Sequence, residues 1–422
     1  MFTNLRAIAL LSVLVLLTGG LAIVTVTQAP GVMSVSVNAQ SATERPGQLL
    51  VLTLNRAPQP LTEADVTVTP AVAFTARSEA NRLEVQFAEA LDYHTEYTVE
   101  VGVAGLDNGA HTTLTERFTT PKASVVTLVH AADSPDRLLQ HTLDPAKGVV
   151  GIGAEHSEVV FEHPQIEDYA VLSDRIVAVT LVDGGGVQPV LIDPATGAGE
   201  PLSSEPWPSL TGLQADAQTM TIGYLVGAVS DDSSPGHGLP KALLLQNLAA
   251  GTSLPRQVTA GLGESGEPIG IARWAMLPKF SAVAVERDDG AVYVVPLEHT
   301  FEAKAEPLLV SRDASVLGVS PAGTELMIEH DGHTVSIDLE AMLDGSHEGA
   351  TSASLPEREL RQRFEAQHPE ARVGEICMSS NDRLAAIELG AARDGQTTTV
   401  IVDARDAQQR ASVLGGKPGW CR

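Results

Sequence analysis

Three hydrophobic periods follow one another along this chain of 422 residues. Residues 7–26, AIALLSVLVLLTGGLAIVTV, carry no charge; Arg6 precedes them, and the next ionisable side chain is Glu44. Wound as a helix at about 1.5 Å per residue, such a run spans roughly 30 Å, the thickness of a bilayer's hydrocarbon core, and predicts one membrane crossing. From Val32 the period drops to two. Apolar positions alternate through Leu50-Val51-Leu52-Thr53-Leu54, Val66-Thr67-Val68, Leu83-Glu84-Val85-Gln86-Phe87, Tyr97-Thr98-Val99-Glu100-Val101, and Leu114 to Phe118, separated by Pro, Asn, Asp and Gly clusters. About seven short strands so spaced, with no helical segment, predict a sandwich of two sheets.

After Ser124 a longer unit recurs. Its third strands are predicted to end at Leu143-Asp144-Pro145, Ile192-Asp193-Pro194, Gln246-Asn247-Leu248, Val295-Pro296-Leu297, Ile337-Asp338-Leu339 and Val402-Asp403-Ala404, spaced by 49, 54, 49, 42 and 65 residues. A period near fifty residues, filled by four strands, indicates a β-propeller rather than a helical solenoid. Six blades are counted, with five or seven compatible. One interruption reads as helical, Ser354-Leu355-Pro356-Glu357 with Leu360 and Phe364 on one face, and falls between the last two blades.

Arg6 and the α-amino group before the apolar run, with an acidic sequel, place the N-terminus on the inner side of the membrane. The run reads as a retained signal anchor. A cleaved signal peptide is the rival, with cutting sites at Thr27-Gln28-Ala29 or Val37-Asn38-Ala39. Pro30 opposes the first, because its ring restricts the backbone where a protease holds an extended substrate. Leu17-Thr18-Gly19-Gly20 has the outline of a lipoprotein box, but Gly20 stands where the lipidated cysteine belongs. Either reading exports the rest of the chain. The expected plan is therefore all-β beyond an N-terminal transmembrane helix: residues 1–28 an anchor, 29–123 a sandwich and 124–422 a propeller.

Two resemblances attach to these residues. The stretch Phe87 to Ala90, Leu91-Asp92-Tyr93-His94-Thr95-Glu96-Tyr97-Thr98-Val99, Asp107-Asn108-Gly109 and Arg117-Phe118-Thr119-Thr120-Pro121 resembles the bacterial Ig-like domains of surface-layer and cell-wall proteins. That likeness implies a spacer or adhesive module without catalysis. Leu172-Ser173-Asp174-Arg175, Val319-Ser320-Pro321-Ala322-Gly323 and Met378-Ser379-Ser380-Asn381-Asp382-Arg383 each precede an apolar run. They resemble the S-P-D-G turns that open blades in WD40-like and TolB-type propellers, which share a pattern but no common function.

A formal charge of −26, with Lys and Arg clustered only at Arg358–Arg363, excludes a nucleic-acid role, since phosphate binding needs a basic surface. Aromatic residues at 4% also leave no stacking platform for bases or sugars. Cys377 and Cys421 are the two cysteines. In an exported chain they are expected to form one disulfide, with Gly415-Gly416 and Pro418-Gly419 turning the chain back onto the last blade, whose innermost strand holds Cys377.

Candidate chemistry is sparse. His330 and His333 flank Asp331-Gly332, a predicted type I′ hairpin turn like Asp289-Gly290, and could hold one metal ion side by side. The loop Ser230–Gly238 offers Asp231 and Asp232 to Ca2+ without the spaced ligands of an EF loop. Gly263-Glu264-Ser265-Gly266-Glu267 is not a nucleophile elbow, and Asp183-Gly184-Gly185-Gly186 reads as a hairpin turn, not a phosphate loop. Trp207, Trp274 and Trp420 are expected between blades. No cofactor is expected. The expected role is a membrane-tethered binding or scaffold protein outside the plasma membrane, presenting the propeller to a protein or envelope partner. The alternative is a metal-dependent, lactonase-like propeller enzyme using axial Asp174, Asn381 or Asp382. The Ala, Gly and Arg bias suits a high-GC Gram-positive bacterium.

Overall fold

The computed structural model describes residues 28–143, 157–172, 174–217, 219–227, 241–249, 254–258, 269–297, 307–320, 323–344, 350–352, 356–390 and 397–420. The chain divides into two compact units, Met1–Ala123 and Ser124–Arg422. The apolar run 7–26 lies outside the described residues. Among those described, no helix is long and apolar enough to cross a membrane.

The first unit contains β1 (Val32–Val37), α1 (Ala39–Glu44), β2 (Leu49–Leu54), β3 (Val66–Thr69), β4 (Phe74–Glu79), β5 (Arg82–Phe87), β6 (Glu96–Ala104) and β7 (His111–Thr119). The strands form two antiparallel sheets in the orders β1-β2-β5-β4 and β3-β6-β7. Strict alternation places Leu50, Leu52 and Leu54 of β2, Leu83, Val85 and Phe87 of β5, and Tyr97, Val99, Val101 and Val103 of β6 in one shared core. The period of two thus gives each sheet one dry face. At the corner before β6, the Asp92 N–H donates to the Tyr97 hydroxyl at 3.1 Å. Asn38 caps α1 through a bond from the Ser41 N–H.

The second unit runs β8 (Ser124–Val129), β9 (Asp136–Thr142), β10 (Ser157–His163), β11 (Ile166–Val171), β12 (Ile176–Leu181), β13 (Val187–Asp193), β14 (Ala198–Pro201), β15 (Ser209–Asp216), β16 (Thr221–Gly227), β17 (Ala242–Asn247) and β18 (Arg256–Val258). It continues with β19 (Ile271–Leu277), β20 (Ala282–Arg287), β21 (Val292–Pro296), β22 (Leu308–Ser311), β23 (Ser315–Val319), β24 (Glu325–His330), β25 (His333–Asp338), α2 (Leu339–Leu343) and β26 (Ala350–Ser352). It ends with α3 (Pro356–Gln367), β27 (Val373–Met378), β28 (Leu384–Leu389), β29 (Thr398–Asp403), β30 (Gln409–Leu414) and β31 (Gly416–Gly419). Among the described residues these strands form six four-stranded antiparallel sheets. Five are consecutive in sequence, β11–β14, β15–β18, β19–β22, β23–β26 and β27–β30; the other has the order β10-β9-β8-β31.

Successive sheets share cores: Leu138 and Val126 pack with Ile166 and Ile176, Val177 with Tyr224, Leu243 with Val283, and Ala284 with Ile328. Each sheet is buried on both faces, so middle strands such as β12 (IVAVTL) and β20 (AVAVER) are near-continuous apolar runs. This is the packing of a β-propeller, with β11, β15, β19, β23, β27 and β31 innermost. Trp274 is buried between the third and fourth sheets, its Nε1–H donating to the Gly212 carbonyl at 2.8 Å. Trp207 pairs its backbone with Val187 of the preceding sheet.

The recurring Asp or Asn at the end of a third strand has a local cause. Asp193, Asn247, Asp338 and Asp403 accept the N–H groups of Ala195, Ala249, Glu340 and Arg405, each two residues on, which turns the chain toward the next strand. The recurring Ser does the same at the other end. Ser320 and Ser379 accept the N–H groups of Glu325 and Leu384, closing the turn between the first two strands.

Two expectations are corrected. Residues 416–419 do not turn back onto the last sheet; they form β31, which pairs with β8 through Gly416↔Leu128 and Gly419↔Val126. Only three strands of the first sheet come from residues 124–163, so its inner edge needs a partner and the C-terminal segment supplies it. At Asp289-Gly290 only the glycine has positive φ, 82°. The Arg287 N–H reaches the Ala291 carbonyl and the Gly290 N–H the Arg287 carbonyl, a three-residue loop that needs one left-handed residue instead of two. At Asp331-Gly332 both φ values are positive, 50° and 73°, as a type I′ turn requires.

Candidate functional site

A group of charged side chains stands where β31 enters between the last and second sheets. Asp168 of β11, Glu375 of β27, Glu388 of β28 and Lys417 of β31 come from strands far apart in sequence but adjacent in the ring. The Lys417 Nζ donates to the Glu167 carbonyl at 2.7 Å and lies 3.4 Å from Asp168 Oδ1. Lys417's own N–H donates to Glu388 Oε2 at 2.8 Å. Glu388 fits because its neighbours are glycines: a Cβ on Gly374 or Gly416 would come within 3.2 or 3.1 Å of its carboxyl carbon.

Asp168 faces the Lys417 ammonium, Glu388 takes the Lys417 backbone N–H, and the Glu375 carboxyl feels the charges of all three. Burial raises the Glu375 pKa, the charges of Asp168 and Glu388 raise it further, and Lys417 pulls it back. Glu375 is nevertheless open to solvent, which fits a carboxyl crowded by protein yet facing the axis. Behind it Tyr169 is buried, donating to the Val126 carbonyl at 2.7 Å and also reaching the Lys417 carbonyl, so it ties β11 to both β8 and β31. Burial, with nearby negative charges, pushes the Tyr169 phenol well above its ordinary value. The arrangement carries excess negative charge on innermost strands and suits a cationic group more than an anion.

A second titratable group sits on the same seam. His141 of β9 is 1% exposed, its Nε2 2.8 Å from Thr127 Oγ1 and its Nδ1 2.6 Å from Ser157 Oγ. Thr127 gives its own proton to the Leu414 carbonyl at 2.7 Å, so it accepts from His141 Nε2–H, and Ser157 donates to Nδ1. Burial holds the His141 ring down to about 4, against the pull of the Leu414 carbonyl. At the β8–β9 turn, buried Asp136 takes bonds from His130 Nδ1 at 3.0 Å and the Ile166 N–H at 2.9 Å.

The residues singled out in the sequence fall elsewhere. Asp174, Asn381 and Asp382 lie in turns between first and second strands, not on the axis. Asp174 is 3.9 Å from the Arg175 guanidinium, and Asn381 Oδ1 accepts from Ser379 Oγ and the Arg383 N–H. His330 and His333 are directly opposed across their hairpin. Asp231, Asp232, Ser265 and Cys421 lie outside the described residues, while Cys377 is on β27. Among the described residues no three His, Cys, Asp or Glu side chains converge to hold a metal. Sequence reasoning missed Asp168, Glu375, Glu388 and Lys417. Glu375 within VGEICM and Glu388 within LAAIEL were the available signal; Lys417 within Gly-Lys-Pro-Gly offered none.

No family profile matches the chain, and no curated protein does. Among solved structures it is similar to TolB from Acinetobacter baumannii, at 12% identity and a TM-score of 0.42 over 84% of this chain and 82% of that one. A putative TolB from Agrobacterium tumefaciens matches at 11% identity and a TM-score of 0.37, over 70% and 91%. The β-propeller domain of the Trilobed protease from Pyrococcus furiosus matches at 7% identity and 0.36, over 90% and 98%. The propeller rests on the sheet order and packing of this chain itself.

Proposed function

We propose that this is an exported, membrane-tethered binding protein in which residues 7–26 anchor the chain, an Ig-like domain acts as a stalk, and a six-bladed propeller meets a protein or envelope partner outside the plasma membrane. The observation that carries the reading is the strand order of the first unit. Lettered A to G in chain order, β1-β2-β5-β4 and β3-β6-β7 read ABED and CFG, the order of constant-type immunoglobulin sandwiches. The bond from Asp92 N–H to the Tyr97 hydroxyl has the form of their tyrosine corner. A module of that kind between an apolar run and a propeller suits a spacer. The six sheets of the second unit support six blades, with β31 completing the first. The acidic inner-strand seam and the overall charge of −26 favour a partner that offers basic side chains.

In this reading Cys377 and Cys421 form a disulfide and no cofactor is needed for binding. Fractionation with N-terminal sequencing tests the tether: the chain is expected in the membrane fraction with its apolar run intact, and a mature chain starting near Pro30 or Gln40 would sink it. Proximity labelling on intact cells tests the rest. The expected result is a recurrent envelope protein whose labelling drops when Asp168 and Glu375 are both changed to the amides; unchanged labelling removes the acidic seam from the contact.

A further inference from the structure

We propose that His330 and His333 form a surface binding site for a divalent first-row transition ion, with Cu2+ held tightest. They end β24 and begin β25 as direct register partners across the two-residue turn Asp331-Gly332. Directly opposed residues of an antiparallel pair project on one face with Cβ atoms about 4.5–5.5 Å apart. An ion bound to two imidazoles at about 2.0–2.1 Å holds their nitrogens roughly 3 Å apart, a gap two such rings close by side-chain rotation alone. Both residues are exposed, so an ion reaches them without opening the fold.

The second observation is the orientation of His330. Its Nδ1 lies 2.7 Å from the Asp313 carbonyl oxygen. A carbonyl only accepts, so Nδ1 carries the proton and Nε2 presents its lone pair to solvent. Metal-binding histidines are commonly fixed this way, by donating the other ring N–H to a carbonyl or carboxylate. Asp331 Oδ2 stands 3.6 Å from that same Nε2 and adds negative charge where the cation would sit. Two imidazoles suit Cu2+ above Ni2+ and Zn2+, and all three over Ca2+ or Mg2+. The remaining coordination positions fall to water or to a side chain of a bound partner.

The test is Cu2+ titration of the full chain in detergent micelles, read by electron paramagnetic resonance. His330→Ala, His333→Ala and His330→Gln are the variants, and His130→Ala serves as an exposed-histidine control. His330→Gln keeps a donor for the Asp313 carbonyl, and so separates loss of a ligand from loss of the turn. The expected result is one ion with nitrogen hyperfine structure in the wild type, bound about tenfold or more weakly in all three pair variants and unchanged in His130→Ala. Wild-type affinity in any pair variant, no bound ion in the wild type, or loss of the ion in His130→Ala would overturn the assignment.

Discussion

His141 shows what one buried side chain imposes on this protein. Its ring sits near pKa 4 when folded and near its ordinary 6.5 when unfolded, so the unfolded chain takes the proton first. Its contribution is intact above pH 6.5, is lost as pH falls toward 4, and amounts to roughly 3 kcal/mol at most. His141→Gln, which has an amide to bond Thr127 but nothing to titrate, is expected to be less stable than wild type at pH 7, with that gap narrowing by about 2 kcal/mol by pH 4.5. Urea midpoints at both values decide it; a constant gap means that the histidine does not charge during acid unfolding. Gly223 makes a second point. A Cβ there would stand 2.3 Å from the Trp274 ring and 2.6 Å from Leu245, so Gly223→Ala is expected to lose about 1–3 kcal/mol by overpacking.

The element that closes the ring is the least conspicuous one. β31 reads Gly-Lys-Pro-Gly, and the bend that delivers it is Gly415, at φ 104°. A Cβ at Gly415 would meet Thr127 Oγ1 at 2.5 Å, and that hydroxyl already joins Leu414 and His141. Gly415→Ala therefore combines a left-handed backbone with a clash against buried atoms, and is expected to lower stability by about 2–4 kcal/mol. Limited proteolysis should then release the C-terminal segment first; a wild-type urea midpoint and digestion pattern would contradict β31's role. The same element marks the limit of sequence reading. Runs such as IVAVTL and the Asp or Asn that ends four of the third strands were legible because burial on both faces and a local turn write themselves into neighbouring residues. A four-residue strand with two glycines and a proline carries no period, and only its pairing with β8 makes it a strand. The charged seam was hidden for a related reason: Asp168 and Lys417 are 249 residues apart, and nothing local announces their meeting.

At the scale of the whole molecule, the first unit has a sealed core of its own and the propeller buries its sheets against one another, so residues 124–422 are expected to fold without residues 29–123. An insoluble propeller fragment from a chain that folds as a whole would contradict this. The ring's own closure has a covalent test. Cys377 lies on β27, which packs beside β31, and Trp420, the residue before Cys421, is 6% exposed. Gly419, one residue earlier, is packed against the ring of Tyr169. The chain is thus fixed beside β27 up to one residue short of the second cysteine. A bond across this 44-residue separation would tie the last sheet to the strand that completes the first, and closing a loop of that length stabilises by about 4 kcal/mol in the chain-entropy account. Intact mass after alkylation of the unfolded, unreduced chain is expected to show no added label, and two labels after reduction. Cys377→Ser should then lower the urea midpoint and fray β31 in hydrogen exchange before any other inner strand. Two labels without reductant would leave noncovalent pairing with β8, the Tyr169 bonds and the Lys417–Glu388 contact to hold the seam alone.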